Sequence, residues 1–297
     1  MNPAGALPYT DVVDDGLTDF QRVRRRLFGI AYRMLGSAAE AEDIVQEVWL
    51  RWQATDRSQV RNPGAFLATA TTRLAITLAQ SARMRRESYV GPWLPEPVDT
   101  RADPALGAER ADALGFAVLM LLEKLTPTER AAYVLREAFD YAYPQVAEIL
   151  DTSEANARQL VSRARQHLAG PRRAPVGPDQ QKRLLRAFVD AAQAGDLAGL
   201  EKLLAADVVS TSDGGGAARA AMVPVVGRER VARLVKSFAG HFWTGVTLTW
   251  IEANGQPALC LSRDGAVTTV LTIEASADGI EQILWMMNPG KLGAITV

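Results

Sequence analysis

The sequence is poor in the residues that build disulfides and metal centres. Its 297 residues include one cysteine, Cys260, and two histidines, His167 and His241. A single cysteine excludes an intrachain disulfide and a cysteine-based zinc finger, and two histidines are too few for a histidine-rich metal site. We therefore expect no metal and no cofactor.

Long hydrophobic runs are also missing. No apolar stretch approaches the roughly 18–20 residues that a membrane span needs, and the first residues lack the basic-then-apolar pattern of a secretory signal. Hydrophobic residues nevertheless make up 48% of the chain, enough for packed cores in two or three domains. We predict a cytoplasmic protein without a membrane partner.

The chain carries almost no net charge: the formal value at pH 7 is −1, and residues 1–173 contain 22 basic and 22 acidic residues. Non-specific affinity for DNA grows with the number of phosphates neutralised. A DNA-binding protein with this balance should bind naked DNA weakly. It is expected to act through a larger, more basic partner, as an accessory specificity subunit rather than as a free-standing repressor.

Residues 143–168 have the pattern of a helix-turn-helix. Pro144 suits the first position of a leading helix, and Ser153 is a good N-cap for the second helix after a polar break. An apolar stripe recurs at helical spacing in the second helix, at Ala157, Leu160, Val161, Ala164 and Leu168. The opposite face could donate to bases and phosphates through Asn156, Arg158, Gln159, Ser162, Arg163 and Arg165. An ordinary helical hairpin with a solvated basic face is the alternative.

A second informative string is AEDIVQEVWLRW, residues 41–52. Its apolar positions, which include both tryptophans, form a buried stripe, and Ser37 with Glu40 predicts a capping box before it. The outer face is polar and could be solvated or could bind a partner; it carries Asp43, Gln46, Glu47 and Arg51. After the polar loop 53–61, Asn62 caps a third helix that ends in Arg83, Arg85 and Arg86, a pattern that suits contact with a DNA backbone or single strand.

These motifs, in this order, closely resemble the extracytoplasmic-function sigma factors of bacterial RNA polymerase. The resemblance implies two all-α domains whose partners are core RNA polymerase and promoter DNA. The helix at residues 41–52 would bind the polymerase clamp, and the loop at 53–61 would receive a flipped base of the −10 element. The following helix would help to melt the promoter, and the helix-turn-helix would read the −35 element.

Residues 89–104 form a proline-rich linker that contains the string WLPEP, Trp93, Leu94, Pro95, Glu96 and Pro97. An exposed Trp-Leu pair in a stiff linker predicts a docking site elsewhere on the protein, or packing on the nearest helix. A helix is expected at 105–125. The capping box Thr126–Glu129 then opens another at 129–139, which would support the helix-turn-helix.

Residues 180–297 have a different character. Two amphipathic helices precede a strand near residues 208–211 and four further strands, joined by Asn254-Gly255, Asp264-Gly265 and Asp278-Gly279, which favour tight hairpins. We expect a four-stranded meander with helices on one face. The segment resembles the SnoaL-like cones of the NTF2-like superfamily, which can hold a small molecule. Its polar candidates Asp213, His241, Arg263 and Asp264 form no acid–base pair at readable spacing, so we expect no enzyme.

Two further strings point to regulation. Asp213, Gly214, Gly215 and Gly216 place three glycines after an acid, which permits close approach of another segment. Asn288, Pro289, Gly290, Lys291 and Leu292 end the last strand. A subgroup of these sigma factors combines WLPEP, a SnoaL-like extension, DGGG and NPDKL. The resemblance implies that the extension contacts the linker and tunes the sigma factor in cis, although Gly290 replaces the acid of the last motif.

The sequence therefore predicts a multidomain sigma factor: two all-α sigma domains followed by an α+β SnoaL-like (NTF2-like) cone. Two alternatives remain, a ligand-responsive one-component DNA-binding regulator and a SnoaL-type enzyme with a DNA-binding region. The expected boundaries are a disordered lead at 1–16, the first sigma domain at 17–88, a linker at 89–104, the second sigma domain at 105–170, a linker at 171–179 and the regulatory cone at 180–297.

Overall fold

The computed structural model describes residues 16–100, 115–169 and 173–295. The predicted disordered lead lies outside these residues except for Gly16, and so does most of the first part of the helix predicted at 105–125. Within the described ranges no helix is both long enough and apolar enough to cross a bilayer, and no cluster of potential metal ligands occurs.

The first helical unit contains α1 (Leu17–Leu35), α2 (Ala38–Ala54) and α3 (Pro63–Glu87), with a 3-10 turn at Arg57–Gln59 between α2 and α3. Gly36 ends α1 in the left-handed conformation. The N-cap residue Asn62 starts α3 by accepting from the amide of Ala65 at 3.0 Å. Local capping chemistry thus sets these helix boundaries, as the sequence predicts.

The second helical unit contains α4 (Phe116–Leu122), α5 (Pro127–Tyr133), α6 (Tyr143–Leu150) and α7 (Glu154–Leu168). The helix predicted at 129–139 is divided: α5 is followed by a π-helical turn, Val134–Ala138. The capping box of Thr126 and Glu129 is present, with each side chain bonding the other residue's amide.

The capping box predicted for α2 is wrong in its second half. Ser37 accepts from the amide of Glu40 at 3.2 Å, as expected. The Glu40 carboxylate, however, pairs with Arg85. Glu96 of the linker binds the start of α2 instead, accepting from Ser37 Oγ (3.0 Å) and from the amide of Ala38 (2.8 Å). A carboxylate distant in sequence therefore caps the helix, which a local pattern cannot reveal.

The C-terminal unit combines three helices with one mixed sheet. Its helices are α8 (Pro178–Ala194), α9 (Leu197–Leu203) and α10 (Arg228–Phe242). The sheet has the order β2-β1-β6-β5-β4-β3. Its strands are β1 (Leu204–Asp213), β2 (Val225–Val226), β3 (Thr247–Ala253), β4 (Gln256–Arg263), β5 (Ala266–Ser276) and β6 (Gly279–Met286).

The predicted four-stranded meander is correct for β3 to β6, which pair antiparallel in sequence order. It is incomplete, because β1 joins β6 in parallel and β2 extends the sheet beyond β1. Helix α10 was not predicted, although Val231, Ala232 and Val235 bury one face of it. The parallel pairing joins segments far apart in the chain, so no local signal announces it.

Two of the three predicted hairpins form at the expected residues. Asn254-Gly255 and Asp264-Gly265 occupy the two central turn positions with positive φ throughout, as type I′ turns require. In the third hairpin Ser276 pairs with Gly279, so the turn centres on residues 277–278 and Gly279 follows it with φ +111°.

Three buried clusters hold the chain together. The first runs continuously through both helical units, from Phe20 to Leu168. The second fills the space between the sheet and helices α8 to α10. The third lies on the other face of the sheet, where Leu94 of the linker and Phe116 of α4 pack on strand residues with Leu292. The linker is therefore part of the core of the C-terminal unit.

Candidate functional site

The helix-turn-helix has the predicted geometry. Asp151 ends α6 in the left-handed conformation, and Ser153 accepts from the amide of Asn156 at 3.2 Å to start α7. The predicted apolar stripe of α7 is buried throughout. This packing fixes which face of α7 remains available to a ligand.

The outer face of α7 is exposed at Asn156, Arg158, Gln159, Ser162, Arg163 and Arg165. Arg158 pairs with Glu154 and lies 4.4 Å from the ring centre of Tyr143. Arg165 pairs with Glu137 at 2.7 Å, a hydrogen bond that raises the pKa of its guanidinium. Exposed pairs of this kind contribute little, so both arginines can exchange their carboxylates for DNA.

The basic end of α3 is arranged differently from the expectation. Arg86 is half-buried: it donates to the carbonyl of Leu35, pairs with Glu123 and stacks 3.6 Å from the ring centre of Trp93. Burial lowers the pKa of the Arg86 guanidinium to about 10. In this conformation Arg86 serves an internal contact and does not face DNA. The Arg83 side chain lies outside the described part of the chain.

The outer face of α2 exposes Asp43, Gln46, Glu47 and Arg51 in one stripe. Glu47 and Arg51 form an ion pair at 2.7 Å. Leu50 lies in the same stripe and is 53% exposed, a feature that the sequence analysis did not single out. The sequence does contain a signal for this exposure, because Leu50 is an apolar residue that falls outside the buried stripe of the helix. A single exposed leucine is common on protein surfaces, so Leu50 is a candidate because it lies within the exposed polar face of α2.

The linker string WLPEP is buried from Leu94 to Pro97. Leu94 has no exposed surface, and Glu96 caps α2 as described above. The amide of Glu96 also donates to the carbonyl of Gly36 at 2.8 Å. The linker thus joins the first helical unit to the sheet, and the predicted docking site for Trp-Leu lies in the C-terminal unit.

At the centre of this joint lies a cluster that we call the clasp: Tyr89, Leu94, Asp213, Asn288 and Lys291. The Asp213 carboxylate is fully buried and accepts three bonds, from Tyr89 Oη (2.5 Å), the Leu94 amide (2.8 Å) and Lys291 Nζ (2.6 Å). Lys291 also donates to the carbonyl of Leu94 at 2.6 Å, and Asn288 Nδ2 donates to Tyr89 Oη at 2.7 Å. The clasp joins three distant segments.

The electrostatics of the clasp follow from burial. Burial lowers the pKa of the Lys291 ammonium to about 8, although Asp213 opposes that shift. Burial raises the pKa of Tyr89, and its hydrogen bond to Asp213 adds to the effect. Tyr89 therefore stays a neutral donor, and the clasp depends on the charge of Asp213 being met by donors on every side.

The predicted glycine string permits the close approach at the clasp. Gly215 has φ +57°, and a Cβ there would overlap the side chain of Asn288. Trp93 contacts two cations, with the Arg86 guanidinium at 3.6 Å and Lys291 Nζ at 4.3 Å from its ring centre. The backbone at Gly214 and Gly216 packs on Ala218 and Val90 in the same region.

The C-terminal motif Asn288–Leu292 contributes to the clasp through residues at its two ends. Lys291 reaches the clasp from a 3-10 turn, Pro289–Lys291, that Asn288 caps. Leu292 is buried beside Leu94, whereas Pro289 is exposed. Although Gly290 replaces the acid of the family motif, Lys291 still forms an ion pair, and its partner is Asp213.

Two contacts at the joint were missed by the sequence analysis. Tyr32 of α1 donates to the carbonyl of Glu96 at 2.6 Å and accepts from Asn254 Nδ2 at 2.6 Å. Asn254 also exchanges bonds with the backbone of Val98. The sequence identifies Asn254 as a turn residue, and the structure shows that its side chain in this turn also binds the linker.

The two helical units contact each other directly. Arg130 of α5 donates to the carbonyl of Met34 and to Glu123, both at 2.6 Å. Arg26 of α1 donates to the carbonyl of Phe139 at 2.7 Å, and Arg73 of α3 donates to that of Ile149 at 3.2 Å. Guanidinium groups thus bind the carboxyl ends of helical segments across the interface, where the helix dipole favours cations.

The interior of the cone is filled by aromatic rings. Trp285 lies within 6.3 Å, centre to centre, of Trp243 and of three phenylalanine rings, Phe188, Phe238 and Phe242. Its indole N–H donates to Ser210 Oγ at 3.1 Å. Such edge-to-face packing stabilises a core.

Comparison with known families assigns both helical units. Residues 20–85 match the family described as Sigma-70 region 2, and residues 115–168 match Sigma-70, region 4. The first range covers α1 to α3 except for two or three residues at each outer end, and the second contains α4 to α7.

Similar proteins extend the match over most of the chain. The ECF RNA polymerase sigma factor SigJ of Mycobacterium tuberculosis is 40% identical over 235 residues, which cover 77% of this chain and 75% of that protein. A probable ECF sigma factor, SigI, of the same species is 32% identical over 91% of this chain and 92% of its own. The crystal structure of SigJ superposes with a TM-score of 0.74 at 33% identity, over 94% of this chain and 98% of that one. The predicted fold class, two helical sigma domains followed by an α+β cone, is confirmed.

Proposed function

The chain belongs to the extracytoplasmic-function sigma factors of bacterial RNA polymerase, and from that premise we propose which surfaces do the work of such a factor. It is a non-enzymatic initiation factor whose partners are core RNA polymerase and promoter DNA. The assignment of individual residues below is our proposal.

We propose that α7 reads the −35 element through Asn156, Arg158, Gln159, Ser162 and Arg163, with Ser153 and Arg165 nearer the backbone. The support is the exposed polar face opposite a fully buried stripe. Asn and Gln pair with adenine edges and Arg with guanine edges in the major groove.

Arg158→Ala is expected to weaken binding to particular promoter sequences by about 1–3 kcal/mol, because a bidentate contact to one base would be lost. The measurement is holoenzyme affinity for a set of duplexes that differ at single positions of the −35 element. Arg165→Ala is the matched control, expected to weaken all sequences equally. An equal loss on every sequence for Arg158→Ala would assign that arginine to a phosphate instead.

For the −10 region we propose the loop at 53–61, with Asn62 and Arg85 beside it; Arg83 remains a candidate on sequence grounds. Arg85 is exposed and held by Glu40, a partner that DNA phosphate could replace. Arg86 becomes available only if its contacts to Glu123 and Trp93 open.

For the polymerase we propose the stripe of α2 formed by Asp43, Gln46, Glu47 and Arg51, with Leu50 as its apolar centre. The support is that this face is exposed while the opposite face is buried. A central apolar side chain with a charged rim is the usual anatomy of a protein interface.

We propose that the cone regulates the sigma domains in cis by holding the linker, and the buried Asp213 of the clasp carries this proposal. Of the residues named by sequence for regulation, Trp93, Leu94, Asp213 and Gly215 come together there with Asn288 and Lys291, which follow β6. The rings that fill the cone support a role as a scaffold for the linker rather than as a pocket for a small molecule.

The observed arrangement is a closed form. Elements at −35 and −10 lie about 25 base pairs apart, which is about 85 Å along B-DNA at roughly 3.4 Å per base pair. In the structure the helix-turn-helix touches α3 through Arg73 and Ile149. Both elements cannot be engaged at once from this form, so the two helical units must separate during initiation.

A chain that stops after Arg173 tests the regulatory role. We expect both this chain and the full chain to require core polymerase for initiation, and their outputs to differ, because truncation uncovers Leu94 and removes three partners of the linker. The measurement is in vitro transcription from a selected promoter. Equal output would remove the regulatory role, and failure of both chains to direct initiation would contradict the residue assignments above.

A further inference from the structure

One charged surface of the cone takes no part in the contacts described so far. Lys182, Arg183 and Arg186 are exposed on one side of α8. Throughout the ranges that the structure describes, none of them forms an ion pair. Other surface arginines of the described residues do form ion pairs, for example Arg51 and Arg173. These three cations are therefore free to meet an external anion.

Trp250 of β3 holds two of the three cations in place. The Lys182 ammonium lies 5.2 Å and the Arg186 guanidinium 5.4 Å from the centre of its ring. Such contacts orient the side chains without neutralising their charge. The surface therefore combines positively charged side chains with an aromatic ring. Surfaces that bind a nucleic-acid backbone have this composition.

The position of α8 in the chain supports the same partner. The proposed recognition helix α7 ends at Leu168 and α8 begins at Pro178. Ten residues of extended chain span at most about 35 Å. Lys182 therefore lies within about 40 Å of the end of α7, which is about twelve base pairs at roughly 3.4 Å each. The length of chain between α7 and α8 therefore allows α8 to contact duplex DNA that extends beyond the segment bound on α7.

We propose that Lys182, Arg183 and Arg186 of the cone bind the phosphate backbone of duplex DNA that flanks the −35 element. The contact is independent of sequence, since ammonium and guanidinium groups that meet phosphates read no base edges. Trp250 is a positioning residue. The proposal rests on the assignment of α7 to the −35 element, and it gives the cone a role in promoter binding that is separate from the clasp.

The test uses holoenzyme on two promoter duplexes, one ending at the −35 element and one extended by about 15 base pairs, enough for the twelve that α8 can reach. The variant is Lys182→Gln, Arg183→Gln, Arg186→Gln, which removes the three charges and keeps polar side chains on α8. The matched control is Arg230→Gln, Arg233→Gln, Lys236→Gln on α10, with the same change of charge and similar exposure. Thermal melting checks that both variants fold.

We expect the affinity gained from the extension to be lost in the α8 variant and kept in the control. The slope of log affinity against log salt should become shallower by about 2.7, or 0.9 per phosphate contact. Between about 50 and 200 mM salt this changes the ratio of the wild-type and variant affinities by about 40-fold.

Equal extension effects and salt slopes in the two variants would overturn the proposal. A loss of affinity for core polymerase itself, the same with either duplex, would show that this surface binds protein and not DNA. Failure of wild-type holoenzyme to distinguish the −35 sequence would instead reject the assignment of α7.

Discussion

Asp213→Ala is expected to lower the free energy of unfolding by about 3–5 kcal/mol, because it leaves the buried Lys291 ammonium and two further donors without their acceptor. Burying a donor without a partner costs far more than the bond itself contributes. The measurement is denaturant unfolding of the full chain. Hydrogen exchange of the Leu94 amide should rise in parallel, since that amide donates to Asp213.

Asp207→Ala is the control for this change. Asp207 lies on the same strand, β1, but it is exposed and pairs with Arg173 at the surface. Its removal should leave both the unfolding curve and the Leu94 exchange rate close to those of the wild type. If Asp213→Ala behaved like Asp207→Ala, the clasp would not hold the linker, and regulation through it would be excluded.

Arg130→Ala is expected to open the closed form. Its guanidinium is buried and binds the Met34 carbonyl of the first helical unit, while Glu123 of its own unit, which pairs with Arg86 of α3, holds it in place. Losing a buried charged partner costs about 3 kcal/mol or more, a shift of roughly a hundredfold in the closed-to-open ratio. A compact chain of this length has a radius of gyration of about 19 Å. Small-angle scattering should therefore show a clear increase above that value.

Arg233→Ala, which removes an exposed arginine from an ion pair within α10, should leave the radius unchanged. Arg26→Ala is the second opening variant, since Arg26 reaches the Phe139 carbonyl from α1 and loses fewer buried contacts. An unchanged radius in both opening variants, with folding intact, would falsify the claim that these arginines hold the helical units together.

Much of the functional surface could be predicted from the sequence because its signals are local. The apolar stripe of α7, the N-cap at Ser153 and the capping box at Thr126 each depend on residues within one or two helical turns. The turn chemistry of Asn254-Gly255 and Asp264-Gly265 is similarly local. Helix α10 has the same kind of apolar period and could have been found from it.

The remaining features required the tertiary structure, because they depend on contacts between residues that are far apart in the chain. The bond from the Leu94 amide to Asp213 joins residues 119 positions apart, and the bond from Asn254 to Tyr32 spans 222. The fold decided which carboxylate caps α2: the local pattern pointed to Glu40, but the packed linker places the distant Glu96 there. Composition and period determined which residues could bind a partner. The tertiary structure decided which of those residues contact other parts of the same chain and which stay exposed to an external partner.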